Sequence, residues 1–190
     1  MTYLAISRLA IVEEDEATGD VAQIYDDIRR TLETPSISNF FTATAGSPAV
    51  LAGTWAVMHQ VYLQGVLPAS LKALILYAIA MTHQCRYCSA VHQATCRSLG
   101  IDEALLETLI QNLDILSPRR VREIIRFSIK CADDAINLTE ADYDRVRRQG
   151  IGDEELMEII AVAALGNYLD TLADAMKIEI DAIYQQVLQN

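Results

Sequence analysis

Residues 67–100 give the strongest indication of the fold and read LPASLKALILYAIAMTHQCRYCSAVHQATCRSLG. Over residues 69–82, apolar side chains occupy nearly every side of a helical projection, which is typical of a helix buried at the centre of a fold. Residues 84–99 continue as a second helix, and Gly100 is a suitable residue to end it. The two segments predict a helical core near the middle of the chain.

The rest of the chain has the same helical character. Apolar positions recur at intervals of three and four residues, and no segment shows sustained alternation with a period of two. Further helices are predicted over residues 20–31, 48–64 and 118–132, and from Ile101-Asp102, Thr139 and Asp153, with a candidate bend at Gly166-Asn167. We therefore predict an all-α, single-domain helical bundle over residues 1–190, with an N-terminal extension at 1–19 and a redox core at about 67–100. Similar apolar spacing in 67–82 and 116–133 is weak support for a duplicated helical hairpin.

Composition and charge exclude several partners. Fifteen Lys and Arg against 26 Asp and Glu give a formal charge of −11, which repels a nucleic-acid backbone. The longest purely apolar stretch, residues 73–81, is shorter than the ~20 residues of a membrane span. The first residues lack the features of a signal peptide. We expect a cytoplasmic protein that binds neither nucleic acid nor membranes and needs no cofactor.

The cysteines are clustered. Cys85, Cys88 and Cys96 lie within twelve positions, and Cys131 stands apart. In a reducing compartment such clustering favours redox or metal chemistry over structural disulfides. The spacing of Cys85, Cys88 and His92 puts all three on one helical face. A cysteine pair at a helix start can close a disulfide, the helix dipole favours a thiolate there, and a histidine can move a proton. The motif therefore has the parts of a thiol–disulfide cycle or a thiol peroxidase.

Two other interpretations of the motif stay open. In the first, the cysteines are small buried hydrophobes and His92 is a core histidine. In the second, Cys85, Cys88, His92 and Cys96 bind a metal, but the first and last are about 16 Å apart along one helix. That separation is too long for a tetrahedral zinc site within one chain. A metal shared between chains remains open, and no metal is predicted.

Residues 71–102, LKALILYAIAMTHQCRYCSAVHQATCRSLGID, resemble the alkylhydroperoxidase D-like (AhpD-like) proteins of the carboxymuconolactone decarboxylase-like superfamily, in particular its peroxidase-related branch. The flanking segments NFFTATAGSPAVLAG (39–53) and IIAVAALGNYLDTLADAM (159–176) support the resemblance. It implies an all-helical homo-oligomer, commonly a trimer or hexamer. It also implies that Cys88 attacks a hydroperoxide, Cys85 resolves the sulfenic acid to a disulfide, His92 belongs to the proton relay, and a dithiol partner reduces the disulfide.

Two positions depart from the family pattern. Ala73 stands where the family's relay has a glutamate, and Tyr87 stands between the cysteines, where a second relay histidine can occur. Tyr87 and His83 are candidate substitutes, although packing and a helix-terminal surface position, respectively, explain them at least as well. Asn167 and Asp170 could line the pocket, and caps or surface positions account for them equally well.

The functional hypothesis is a thiol-dependent hydroperoxide reductase. The alternative is a non-catalytic dithiol redox sensor or oligomeric binding protein with an impaired relay, which the alanine at position 73 favours. Lactone decarboxylation is disfavoured, because a redox cysteine pair has no role in protonating an enol. We interpret Cys131 as a core-packing residue and expect no intrachain partner for Cys96.

Overall fold

The computed structural model describes residues 6–185, and every regular element within that range is helical. This confirms the all-α class. The α-helices are α1 Gly19–Leu32, α2 Asn39–Thr44, α3 Pro48–Val57, α4 Ala69–His83, α5 Arg86–Ser98, α6 Glu103–Gln111, α7 Arg119–Asp134, α8 Glu140–Arg147, α9 Asp153–Met176 and α10 Ala182–Gln185. A π-helical turn, Met58–Tyr62, extends α3, and short 3-10 turns follow α6 and α7.

Helix α4 is the central element. Its residues 71–80 are all buried, as its apolar pattern predicts. It packs against α5, α7 and α9, and it separates two apolar clusters. The larger cluster joins α4 to α6, α7 and α9, and the smaller one joins α1, α2 and α3 to the start of α5. The predicted redox residues Cys85 and Cys88 belong to the smaller cluster.

Helix α9 crosses α4 at Gly166. The α-helix continues through Gly166-Asn167. A Cβ atom on Gly166 would lie 3.2 Å from side-chain carbons of Ile79 and Leu76, so this glycine allows a close approach of the two helices. By length and composition α9 could span a membrane, but half of its most apolar window is buried. We interpret it as a core helix.

A buried ion pair fixes the connection between α3 and α4. Lys72 is almost fully buried, and its ammonium group pairs with the carboxylate of Glu158 on α9. The other oxygen of Glu158 accepts hydrogen bonds from the backbone N–H groups of Val66, at 2.9 Å, and Leu67, at 2.8 Å. Although burial opposes it, these donors and Lys72 lower the pKa of Glu158. The chain passes this carboxylate at Gly65, where φ is +100°.

Candidate redox site

The junction between α4 and α5 places the cysteine pair. Gln84 adopts a left-handed conformation with φ 58°, which ends α4. Cys85 is then extended and is the N-cap of α5, which begins at Arg86 rather than at the predicted position 84. The Sγ atom of Cys85 accepts a hydrogen bond from the backbone N–H of Cys88 at 3.4 Å. The positive end of the helix is therefore directed at Cys85.

Both thiols are buried beside a carboxylate from α9. Ligand atoms of Cys85, Cys88 and Asp170 all lie within 4.8 Å of one another, and the side chains are 0%, 3% and 4% exposed. Both cysteines are free thiols. Interaction with Cys85, burial and the negative charge of Asp170 all raise the pKa of Cys88. The expectation that the helix dipole favours a thiolate is therefore wrong for Cys88, because the helix N–H group points to Cys85 and an acid lies nearby.

The Cys88 thiol borders a cavity of about 560 Å³. His92 lines the same cavity, whereas Cys85 and Asp170 do not. The wall is mostly apolar and includes four aromatic rings besides Tyr87: those of Phe40, Phe41, Tyr62 and Tyr184. A small apolar molecule in the cavity would meet Cys88 and His92, with Cys85 behind them.

His92 is buried and uncharged. Burial lowers its pKa to about 4. Within residues 6–185, no side chain or backbone group forms a hydrogen bond with its imidazole. At neutral pH one ring nitrogen therefore carries a proton and the other has a free lone pair, so the ring can bind a polar group in the cavity.

His83 links the site to α7. Its Nδ1 lies 2.8 Å from Oδ2 of Asp170, and its Nε2 lies 2.7 Å from Oδ1 of Asp133. Two carboxylates can both be satisfied only if both ring nitrogens carry protons. Although burial opposes it, the two carboxylates raise the pKa of His83. His83 is therefore an imidazolium that orients Asp170, rather than a surface residue.

The Tyr87 hydroxyl is bound to groups outside the cysteine pair, although Tyr87 lines the same cavity as Cys88. Its hydroxyl donates a hydrogen bond to Oδ2 of Asp181 at 2.9 Å and accepts one from the backbone N–H of Phe40 at 3.2 Å. Its ring stacks on that of Phe40. These contacts tie α5 to α2 and to the segment before α10, which is a structural role. Ala73 is fully buried in the core of α4 and has no exchangeable proton in its side chain.

The remaining cysteines lie apart from the site. Cys96 is buried in the larger apolar cluster, and burial raises its pKa to about 12. Cys131 packs against the same cluster and is partly exposed. In the part of the chain that the structure describes, the one group of at least three side chains that could hold a metal ion is Cys85, Cys88 and Asp170. This group differs from the single-helix set considered from the sequence.

The sequence left Asn167 and Asp170 open between lining the pocket and serving as caps or surface residues. Neither residue lines the cavity, and Asp170 is instead buried beside the two thiols. Its signal was present: Gly166, Asp170 and Ala173 are spaced by four and three along α9, so the acid lies on a buried stripe of small residues. A carboxylate on such a stripe must have a partner. The partners, His83 and the thiols, are about 85 positions away in the sequence.

Several known proteins share the fold of this chain. The model of the "Carboxymuconolactone decarboxylase family" matches residues 48–117. A peroxidase-related protein with an alkylhydroperoxidase AhpD core, from Ralstonia eutropha JMP134, superposes with a TM-score of 0.86 at 22% identity, over 95% of each chain. A peroxidase-related protein from Silicibacter sp. TM1040 gives 0.84 at 22% identity, over 97% of this chain and 96% of the other. The debrominase Bmp8, in a cysteine-to-alanine variant bound to 2,3,4-tribromopyrrole, gives 0.80 at 14% identity, over 99% of this chain and 97% of the other. No curated protein matches the sequence.

Proposed function

We propose that this chain is an AhpD-like thiol-dependent hydroperoxide reductase, since residues 48–117 match the carboxymuconolactone decarboxylase family model and the fold is that of peroxidase-related proteins. The observation that carries the proposal is the arrangement of the two thiols. Cys88 borders the cavity beside His92, and Cys85 lies behind it, within 4.8 Å. A substrate in the cavity can therefore reach the thiol of Cys88. The thiol of Cys85 can react only with the oxidised sulfur of Cys88.

In the first step the sulfur of Cys88 attacks the terminal oxygen of the hydroperoxide. The O–O bond breaks, Cys88 becomes a sulfenic acid, and the alkoxide takes up the proton that the thiol gave up, so an alcohol leaves. Neutral His92 donates a hydrogen bond to the peroxide and orients it in the cavity. Sulfur loses two electrons, and the two oxygens of the peroxide each gain one.

In the second step the sulfur of Cys85 attacks the sulfenic sulfur of Cys88. A disulfide forms, and hydroxide leaves with the thiol proton as water. A dithiol reductant then attacks the disulfide, is itself oxidised to a disulfide, and returns both thiols. Cys88 is thus the peroxidatic cysteine and Cys85 the resolving one.

The cavity favours an organic substrate. Phe40, Phe41 and Tyr62 give it an aromatic wall, which binds a hydrocarbon group better than it binds the small polar molecule hydrogen peroxide. We expect a higher kcat/KM for cumene hydroperoxide than for hydrogen peroxide.

Self-association as a trimer or hexamer belongs to the same proposal, and light scattering would measure it.

The test is consumption of cumene hydroperoxide with excess dithiothreitol. Wild-type protein should turn over many equivalents, and Cys88→Ser should fall to the uncatalysed rate. Cys131→Ser is the matched control, because Cys131 is a partly exposed thiol outside the site, and it should keep wild-type activity. Turnover by Cys88→Ser would refute the proposal. A single Cys85–Cys88 disulfide without turnover would identify the dithiol redox sensor instead.

A second candidate is reductive dehalogenation of a small aromatic compound. The observation that favours it is the aromatic cavity beside a dithiol, together with the structural similarity to a debrominase. In such a reaction the two thiols supply two electrons and become a disulfide, the carbon–bromine bond is replaced by carbon–hydrogen, and bromide and a proton leave. Bromide release from 2,3,4-tribromopyrrole by wild type, without consumption of cumene hydroperoxide, would favour this candidate over the first.

A further inference from the structure

We propose that Asp170 is a catalytic residue of this site, the base that takes the proton from each thiol and returns it to the leaving oxygen. The proposal deepens the proposed function and rests on it. It assigns a role to a carboxylate on α9, far in sequence from the cysteine motif. Ala73 on α4 is buried and cannot exchange a proton, so α4 supplies no acid at that position.

The carboxylate of Asp170 lies close to both thiols. An oxygen of Asp170 lies within 4.8 Å of the sulfurs of both Cys85 and Cys88. A small side-chain rotation brings such atoms to hydrogen-bond distance, and catalytic hydrogen bonds commonly shorten when substrate binds. One carboxylate can thus serve both chemical steps, because each step removes a proton from one of these two sulfurs.

The carboxylate of Asp170 is buried and is held by a charged partner. Asp170 is 4% exposed, and burying a carboxylate is unfavourable unless it is paired. The imidazolium of His83 holds Oδ2 at 2.8 Å and leaves Oδ1 available to the thiols. Asp133 holds the other side of the ring at 2.7 Å, which fixes the orientation of His83. Burial raises the pKa of Asp170 and its interactions with Cys88 and His83 offset part of the rise, which suits an acid that must both accept and release a proton.

The Cys88 thiol needs a base before its sulfur can attack. Cys88 is protonated in the reduced protein because Cys85, burial and Asp170 raise its pKa. An attacking thiol must therefore lose its proton as the S–O bond forms. In the first step the proton passes from Cys88 to Asp170 and then to the alkoxide. In the second step it passes from Cys85 to Asp170 and then to the departing hydroxide, so Asp170 ends each step ionised.

The effect of Asp170→Asn on the rate of peroxide reduction distinguishes two roles of Asp170, a base and a charged group that only repels the thiolate. If Asp170 only repels the thiolate, its neutralisation lowers the pKa of Cys88 and speeds every reaction of that sulfur. If Asp170 moves the proton to the leaving oxygen, peroxide reduction slows, while alkylation by iodoacetamide, whose iodide leaves without a proton, speeds up. Loss of local structure would change both reactions in the same direction.

The experiment compares wild type, Asp170→Asn and the control Asp174→Asn, an exposed acid one turn further along α9. We expect Asp170→Asn to lower kcat for cumene hydroperoxide by about 100-fold or more, the usual contribution of a general base. Alkylation of Cys88, followed by peptide mass spectrometry, should become faster, and Asp174→Asn should change neither rate. An active wild type with an unchanged or faster Asp170→Asn variant would overturn this proposal alone. A wild type without peroxide turnover would overturn the proposed function as well.

His83→Gln keeps the proposal testable if Asp170→Asn does not fold. The groups that face Asp170 are His83 on α4 and the thiols of Cys85 and Cys88, and Asp133 on α7 acts through His83. Removing the imidazolium charge raises the pKa of Asp170, so the acidic limb of the kcat–pH profile should move to higher pH. An unchanged limb would contradict a role for Asp170 in proton transfer.

Discussion

A methyl group added at Gly65 should destabilise the protein by displacing Glu158 from Lys72. The Cβ atom of Gly65→Ala would lie 2.6 Å from Cδ of Glu158 and closer still to Oε1. The carboxylate must then move away. It cannot move without losing the ammonium group of Lys72 and the N–H groups of Val66 and Leu67.

The expected cost has two parts. An alanine held at a φ of about +100° costs about 1–3 kcal/mol. Separating the pair adds more, because Lys72 is 1% exposed and breaking a buried pair costs about 3–5 kcal/mol. We expect Gly65→Ala to lower the free energy of unfolding by at least about 4 kcal/mol. At about 2–4 °C per kcal/mol for a chain of this length, Tm should fall by at least about 8–16 °C.

Chemical denaturation of four proteins separates the two parts: wild type, Gly65→Ala, Glu158→Ala and the double variant. Without the carboxylate, Gly65→Ala should cost only its backbone part, so the two substitutions should couple by about 3–5 kcal/mol, the part that comes from the ion pair. Gly53→Ala is the control, because its Cβ would meet nothing within 4 Å on an exposed helix, and it should be neutral or stabilising by up to about 1 kcal/mol. Equal costs of Gly65→Ala in both backgrounds, or a cost below about 0.5 kcal/mol, would show that the substitution does not act by displacing Glu158 from Lys72.

Two further predictions concern the site. Cys85→Ser should still reduce one equivalent of hydroperoxide, and a sulfenic acid should accumulate on Cys88 because the resolving thiol is missing. Dimedone labelling detects the sulfenic acid, and rapid turnover in this variant would contradict the role of Cys85 as the resolving cysteine. Tyr87→Phe should cost about 1–3 kcal/mol of unfolding free energy, since it leaves the buried Phe40 N–H and a half-buried Asp181 oxygen without their partner. It should change kcat by less than about threefold, and a loss of kcat near that of a general base, in a folded variant, would restore Tyr87 as a relay residue.

The sequence predicted the fold well where local pattern decides it. Residues 69–82 were predicted as a central helix, and α4 runs Ala69–His83, because an apolar pattern on all sides leaves no alternative to burial. The start of α5 was placed at 84, two residues early. The left-handed conformation of Gln84 depends on how α4 ends against its neighbours, and Gln carries no strong signal for it.

Local sequence pattern also identified part of the candidate site, and tertiary contacts determined the rest. Cys85, Cys88 and His92 follow from spacing along one helix. The orientation of His83 and the position of Asp170 depend on the crossing of α4, α7 and α9, which is tertiary structure. Periodicity located Asp170 on a helix but could not distinguish a buried acid from a cap or a surface residue. The same limit applies to Tyr87, whose hydrogen-bond partner Asp181 is 94 positions away.

A single-turnover measurement without reductant tests whether Cys88 and Cys85 reduce a hydroperoxide and become joined in a disulfide. One equivalent of cumene hydroperoxide is mixed with the reduced protein, and the alcohol product and the cysteine pairing are quantified by chromatography and peptide mass spectrometry. We predict one equivalent of 2-phenylpropan-2-ol and one disulfide, between Cys85 and Cys88, with Cys96 and Cys131 still reduced. Unreacted peroxide, or oxidation that appears first at Cys96 or Cys131, would show that Cys88 and Cys85 are not a hydroperoxide-reducing pair.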